Sequence, residues 1–402
     1  MPYWNFSGKF LGKYVTICNT NLLYRFWGDI MIYLDYAANT PIDKEVIEYF
    51  TKESMKYIAN PNSSHQLGRE AKDRMDEITE NIAQMLSVKS SEIIYTSGAS
   101  EANNLALKGL ARVNRHNGKH IISTFLEHSS VSGTLSYLQE QGYEIDLVNV
   151  TPDGHIDISH LKELLRKDTI LVSICYVDSE LGVVQPIEEI AGILKDYPNC
   201  FFHSDATQAV GKIPISIDNI DCITFTPHKF FGLNGCGVLV KKDHVILEPL
   251  IHGGSSTTLY RSGTPVLGQA ASIEKALELA ITNLDDRYDY VRKLNDKLKK
   301  ELLSYEKVRI NSTKYSIPHI LNLSVRGVKA TEFTKALEQE GVCVSIKSAC
   351  SVVNTPSRPV FAVTKDRKNA LASWRISLSH MTKEEEIEQF LKAFSICYDK
   401  FK

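Results

Sequence analysis

From about residue 90 the chain alternates short apolar runs with amphipathic stretches. The runs "EIIYTSG", "KHIISTF", "YEIDLVNV", "TILVSICYV", "NCFFHSD", "DCITFTP" and "GCGVLVKK" have the length and the β-branched and aromatic content of strands. Between several of them lie segments with helical spacing of apolar positions, such as "SHLKELLRKD" and "PIEEIAGILKDY". This alternation predicts βαβ units, and with them a mostly parallel sheet covered by helices on both faces.

After about residue 268 the texture changes to long charged helical patterns, "SIEKALELAITNLDDRYDYVRKLNDKLKKELLSY". The strand-like runs "HILNLSV" and "SWRISLS" follow, and a last helix is predicted to open at a Thr382 to Glu385 capping box. An α/β chain is therefore expected, with a large domain over 47–267. A smaller α+β domain is expected from 31–46 plus 268–402. Residues 1–30 are aromatic-rich and lack helical periodicity or a signal-peptide core, and Met31 opens the first well-patterned segment, "MIYLDYAANTP". They read as an N-terminal appendage, with a mitochondrial-type presequence as the weaker alternative.

Composition narrows the function classes. Of 402 residues, 43% are hydrophobic and 23% charged, and the formal net charge is −2. There is no basic run or aromatic-basic stripe of the kind that binds nucleic acid. No stretch approaches the roughly 20 apolar residues that span a bilayer. The eight cysteines form no CxxC pair, which argues against a metal site, and most lie inside apolar runs as small core residues. A reduced, cytoplasmic setting fits this usage.

In open parallel sheets, ligands bind beyond the carboxyl ends of the strands. The polar residues just after each run are therefore the candidates. "EIIYT" leads into "SGASEANN", where a helix N-terminus with the Ser97 and Ser100 hydroxyls makes either an anion site or a plain N-cap. His128 follows "HIISTF", and Asp205 and Gln208 follow "CFFH". An aspartate beside a sheet interior needs a positive partner or strong hydrogen bonds. "CITFTP" ends at His228 and Lys229, followed by two phenylalanines. Most lysines in such company lay the stem on apolar surface and keep the ammonium in water. The functional alternative is an amine that is desolvated or joined to a carbonyl as a Schiff base. One ligand satisfies the whole set, an aromatic cation with a phosphate and an aldehyde: pyridoxal 5′-phosphate.

The segments "YLDYAANTP", "NPNSSHQLGREA", "YTSGASEANNLALKG", "EHSSV", "ELGVVQPI", "HSDATQAVGKIPI", "HKFFG", "RSGTP" and "SIKSACS" resemble, in order, the motifs of the cysteine desulfurases of the class V aminotransferase family, over about residues 31–400. The resemblance implies the type I pyridoxal-phosphate transferase fold, normally a homodimer. It implies L-cysteine as substrate and sulfur-acceptor or scaffold proteins as partners. Lys229 would be the Schiff-base lysine, Asp205 the partner of the pyridine nitrogen, His128 the ring-stacking proton-transfer group, and Gln208 and Ser179 neighbours of the ring hydroxyl. Ala99, Ser100, Thr226 and His228 would surround the phosphate, with Thr264 reaching in from the partner subunit. Arg375 would bind the substrate carboxylate, and Cys350 would accept the sulfur as a persulfide.

The Cys350 segment "SIKSACSVVNTPSRPVF" contains Pro356 and Pro359, which exclude regular helix or central strand and fit a loop that carries a thiolate. The sequence departs from the family pattern at Ser179, where asparagine is common, at Leu233-Asn234 in place of Pro-Lys, and at His380 in place of a second arginine. The competing expectations are another class V enzyme, such as a selenocysteine lyase or an aminotransferase, and a catalytically silent sulfur-assembly scaffold.

Overall fold

A computed structural model describes residues 31–254, 258–347 and 355–401. The N-terminal appendage and Cys350 lie outside the described residues.

Seven strands form the large sheet, in the spatial order Ile93–Thr96, Gly237–Lys241, Cys222–Phe225, Phe201–Asp205, Thr169–Ser173, His120–Thr124 and Glu144–Val148. Only Gly237–Lys241 runs against the rest. Side chains alternate across the sheet as the strand period requires. Ile93, Ile122, Ile223 and Val240 enter the core on one face, and Ile94, Ile121, Cys222 and Leu239 the core on the other. Because both faces are covered, these strands read as continuous apolar runs.

The first core is closed by the helices Gln66–Leu86 and Leu267–Thr282, which pack on each other. The change of texture near residue 268 thus falls at the start of a helix that belongs, by packing, to the core of the large sheet. The second core contains Ala102, Leu105 and Ala106 of the helix Ala99–Val113 and Val131 and Leu135 of the helix Ser129–Glu140.

A three-stranded antiparallel sheet, Ser373–Ser377, Ile320–Val325 and Val308–Ile310, carries a separate core. The helices Leu284–Leu302, Ala330–Gln339 and Glu384–Lys400 cover it. The long charged helical patterns are two helices as expected, meeting at Asn283, whose amide caps the first by donating to the Leu279 carbonyl at 2.8 Å. One local expectation is corrected. The final capping box begins at Lys383, whose N–H donates to Glu386 at 2.7 Å. Thr382 is instead fully buried and accepts from the Ser379 N–H three residues earlier at 3.1 Å, a turn contact that takes its hydroxyl away from the helix cap.

Candidate active site

The parallel strands all release their chains on one side of the sheet, where a cavity of about 390 Å³ opens. Ala99, Ser100, His128, Ser179, Asp205, Gln208, Thr226, His228, Lys229 and Arg375 line it. Thr264 does not; it lines a smaller cavity with Thr96, Ser97, Cys236 and Arg261.

Lys229 ends a short 3-10 turn, Pro227–Lys229, placed directly after Cys222–Phe225. Thr40 staples the turn: its N–H and hydroxyl both donate to the His228 carbonyl, and its hydroxyl oxygen accepts the Phe231 N–H at 2.8 Å. Phe231 pays for the sharp reversal with a φ of 70°, a conformation unfavourable for an aromatic residue. The Lys229 ammonium is thereby turned from solvent to the carbonyls of Ala37, at 3.0 Å, and Ala38, at 2.5 Å. That is not the posture of a lysine with its charge in open water.

Asp205 is the last residue of its strand and is buried. Its oxygens accept from Asn103 Nδ2 at 2.8 Å and the Thr207 N–H at 2.9 Å. His128 caps the helix Ser129–Glu140, and its Nδ1 accepts the Ser130 N–H at 3.2 Å. Burial holds the His128 imidazole below its usual pKa, opposed by the Asp205 charge. Burial and the nearby ammonium groups of Lys229 and Lys212 push His228 down to about 4. The Thr226 hydroxyl donates to the Cys236 carbonyl at 2.8 Å, so His228 Nδ1, 2.9 Å away, donates to Thr226 Oγ1.

Arg375 is 2% exposed. It donates to Asp35 at 2.9 Å and to the Ser179 carbonyl at 2.6 Å, while its Nε has no partner. Thr207 Oγ1, also on the cavity wall, is likewise buried and unpartnered. At the mouth of the helix Ala99–Val113, Gly98 offers no side-chain cap. Gly98 and Gly237 meet so closely that a Cβ on Gly237 would lie 2.6 Å from Gly98.

These features fit pyridoxal phosphate: an amine for its aldehyde, a carboxylate for its ring nitrogen, an uncapped helix N-terminus for its phosphate. The orphaned Thr207 and Arg375 atoms are donors that a bound polar ligand would satisfy. Among the described residues no cluster of His, Cys, Asp or Glu could hold a metal ion, and no helix is long and apolar enough to cross a membrane.

Sequence reasoning missed several residues here. Lys212 is buried and donates to Gln208 Oε1 at 2.5 Å; burial, then the Lys229 and Arg375 charges, push its pKa well down. Glu127 is pushed up to about 8 by burial and accepts from Thr124 and the Cys175 N–H, each at 2.9 Å. Asp35 holds Arg375, and Asn103 holds Asp205. A polar residue on the buried face of an amphipathic helix, as Asn103 is, was the available signal.

Residues 32–390 match the model of the aminotransferase class-V family. The chain belongs to the class V aminotransferase family, among its cysteine desulfurases. It is 36% identical to "Cysteine desulfurase IscS" of Dictyoglomus turgidum over 376 residues, covering 92% of this chain and 95% of that protein. It is also 36% identical to "Cysteine desulfurase, mitochondrial" of Eremothecium gossypii, covering 90% of this chain and 75% of that one. A solved NifS-like protein from Rickettsia africae superposes with a TM-score of 0.82 at 32% identity, over 92% of this chain and 99% of its own. Another solved NifS-like protein gives 0.86 at 32% identity, over 92% and 100%. The type I pyridoxal-phosphate fold and dependence on that cofactor come with the family.

Proposed function

We propose that this chain converts L-cysteine to L-alanine and takes the sulfur onto Cys350 as a persulfide. The observation that carries the reading is the convergence of Lys229, Asp205, His128 and Arg375 on one cavity beside an uncapped helix N-terminus. When bound, pyridoxal phosphate supplies the carbonyl that takes the substrate amine and an electron sink for its α-carbon. Asp205 would hold the ring nitrogen, Gln208 and Ser179 would serve the ring hydroxyl, and Ala99, Ser100, Thr226 and His228 would receive the phosphate. Arg375 anchors the substrate carboxylate through N–H groups left free beside its bonds to Asp35 and Ser179. Lys229 Nζ takes the α-proton and returns it. His128, with its proton at Nε2, serves as the second proton carrier. The Cys350 thiolate forms a bond to the substrate sulfur as the carbon–sulfur bond breaks; the carbon side gains a proton and leaves as alanine.

The protein acts as a cytoplasmic homodimer, with Thr264 contributed across the interface to the partner's phosphate site. Exposed Met55, Ile58, Leu259 and Val266 supply apolar surface for such contact. Most of the cofactor site falls in the domain proposed over 47–267 and the cysteine loop in that of 31–46 plus 268–402, whose helix Leu267–Thr282 packs into the large-sheet core and whose Arg375 reaches the cavity. The persulfide passes to sulfur-acceptor or scaffold proteins for iron–sulfur cluster assembly or for thiolation of cofactors or tRNA. The test is incubation with cysteine, measuring alanine and sulfide with and without a thiol acceptor. Alanine in step with released sulfur, with no keto-acid required, supports the reading; a strict keto-acid requirement would mark an aminotransferase.

A further inference from the structure

Asn103 is fully buried on the helix Ala99–Val113, and its amide makes four hydrogen bonds. Nδ2 donates to Asp205 Oδ2 at 2.8 Å and to Ser130 Oγ at 2.9 Å. Oδ1 accepts from Thr224 Oγ1 at 2.5 Å and lies 3.1 Å from His203 Nε2. Turned over, the amide would set its oxygen against a carboxylate, which only accepts, so a single orientation is chemically consistent.

That orientation directs every neighbouring bond. His203 must donate from Nε2, so its Nδ1 accepts from Ser173 Oγ at 2.9 Å. Ser130 Oγ accepts from Asn103 and gives its own proton to His128 Nδ1, 2.9 Å away. His128 is left with its proton on Nε2. Both imidazoles are neutral in this arrangement, in accord with the burial that lowers His128 and pushes His203 down to about 4. The charged groups acting on His128 are Asp205, Lys229 and Arg358, and on His203 it is Asp205.

We propose that Asn103 is a positioning residue of the active site: by committing one amide proton to Asp205 and the other to Ser130, it fixes the hydrogen-bonding directions of the carboxylate and of His128 relative to each other. The proposal rests on the reading of Asp205 and His128 as the groups that face the cofactor ring.

Two measurements test it. The first is nitrogen NMR of the full chain, as isolated, with labelled histidine and signals assigned through His128→Gln and His203→Gln. His203 should carry its proton on Nε2 near neutral pH, and an Nδ1–H form overturns the proposal; His128, whose Nδ1 also accepts the Ser130 N–H, should be Nε2–H in any case and serves as the internal reference. The second is Asn103→Asp, which keeps the shape but loses the amide donor. Loss of one charge-assisted hydrogen bond in the reacting arrangement should lower kcat about ten- to a hundredfold, with the KM for cysteine changed less than about threefold. Pyridoxal phosphate should be lost faster on dialysis, and His203 should become protonated near neutral pH against the new carboxylate. Unchanged kcat and cofactor retention with a neutral His203 would overturn the proposal. If the variant does not fold, the wild-type nitrogen shifts decide alone. Those shifts also separate the two readings, since a chain that binds no pyridoxal phosphate fails the proposed function while His203 still reports on Asn103.

Discussion

Under the function proposed above Arg375 serves both structure and substrate, and the two roles are separable by experiment. Its guanidinium is 2% exposed and pairs with Asp35, whose side chain is 17% exposed and whose other oxygen accepts from the Ser345 hydroxyl at 2.6 Å. In Arg375→Met the packing volume is roughly kept but Asp35 loses its cation. Removing one partner of a buried pair costs about 3–5 kcal/mol. Because Asp35 retains some water and the Ser345 bond, the low end, about 3 kcal/mol, is expected. Arg375→Met with Asp35→Asn removes both charges and should regain most of that loss. Substrate binding should behave differently. Two charge-assisted hydrogen bonds to the cysteine carboxylate, at about 1.5–3 kcal/mol each, correspond to a rise in KM of at least about a hundredfold in both variants. Urea-denaturation midpoints read the first effect and steady-state alanine formation the second. If the double variant recovers KM along with stability, or the single variant holds KM within about threefold, Arg375 does not bind the substrate carboxylate.

Lys229→Ala should abolish turnover, and borohydride-treated protein should lack the mass of a covalently held cofactor; retention of both removes Lys229 from the mechanism. Cys350→Ser should still bind pyridoxal phosphate and cysteine but release alanine poorly, since a hydroxyl is a weak nucleophile toward sulfur at neutral pH. Unchanged alanine release, with no extra sulfur on the native Cys350 peptide by mass spectrometry, would rule out the persulfide. Glu127 is raised by burial from 4.5 to about 8, so between those values the folded chain holds a proton that the unfolded chain has lost. Stability from this group therefore falls as pH rises through that window. Glu127→Gln should flatten the Tm-against-pH curve there and leave it unchanged below about pH 4.5; identical slopes in both proteins would contradict the assigned burial cost.

The strands were legible because all but the edge strand Glu144–Val148 are largely buried on both faces and bounded by turn residues, so that apolar runs marked them. The site was legible because a parallel sheet delivers its strand ends to one side, which made His128, Asp205 and His228-Lys229 neighbours before any coordinates. Helix boundaries were less so. Thr382 has the side chain of an N-cap, but its hydroxyl is drawn into the core by Ser379, and the helix starts one residue later.

What stayed hidden are the groups whose partners are remote in the chain. Asp35 meets Arg375 across 340 positions, and Asn103 meets Asp205 across 102. No local pattern encodes such pairs, because each residue taken alone is an ordinary polar side chain. Yet burial sets the terms. A carboxylate or amide enclosed at these depths must find every partner inside the protein or lose the equivalent of one hydrogen bond for each that is missing. Asn103 meets that demand with all four of its bonds, whereas Arg375 Nε is buried without a partner. The contrast is itself functional information: a satisfied network is rigid and holds Asp205 in place, whereas Arg375, under the function proposed above, keeps hydrogen-bonding capacity for a substrate carboxylate.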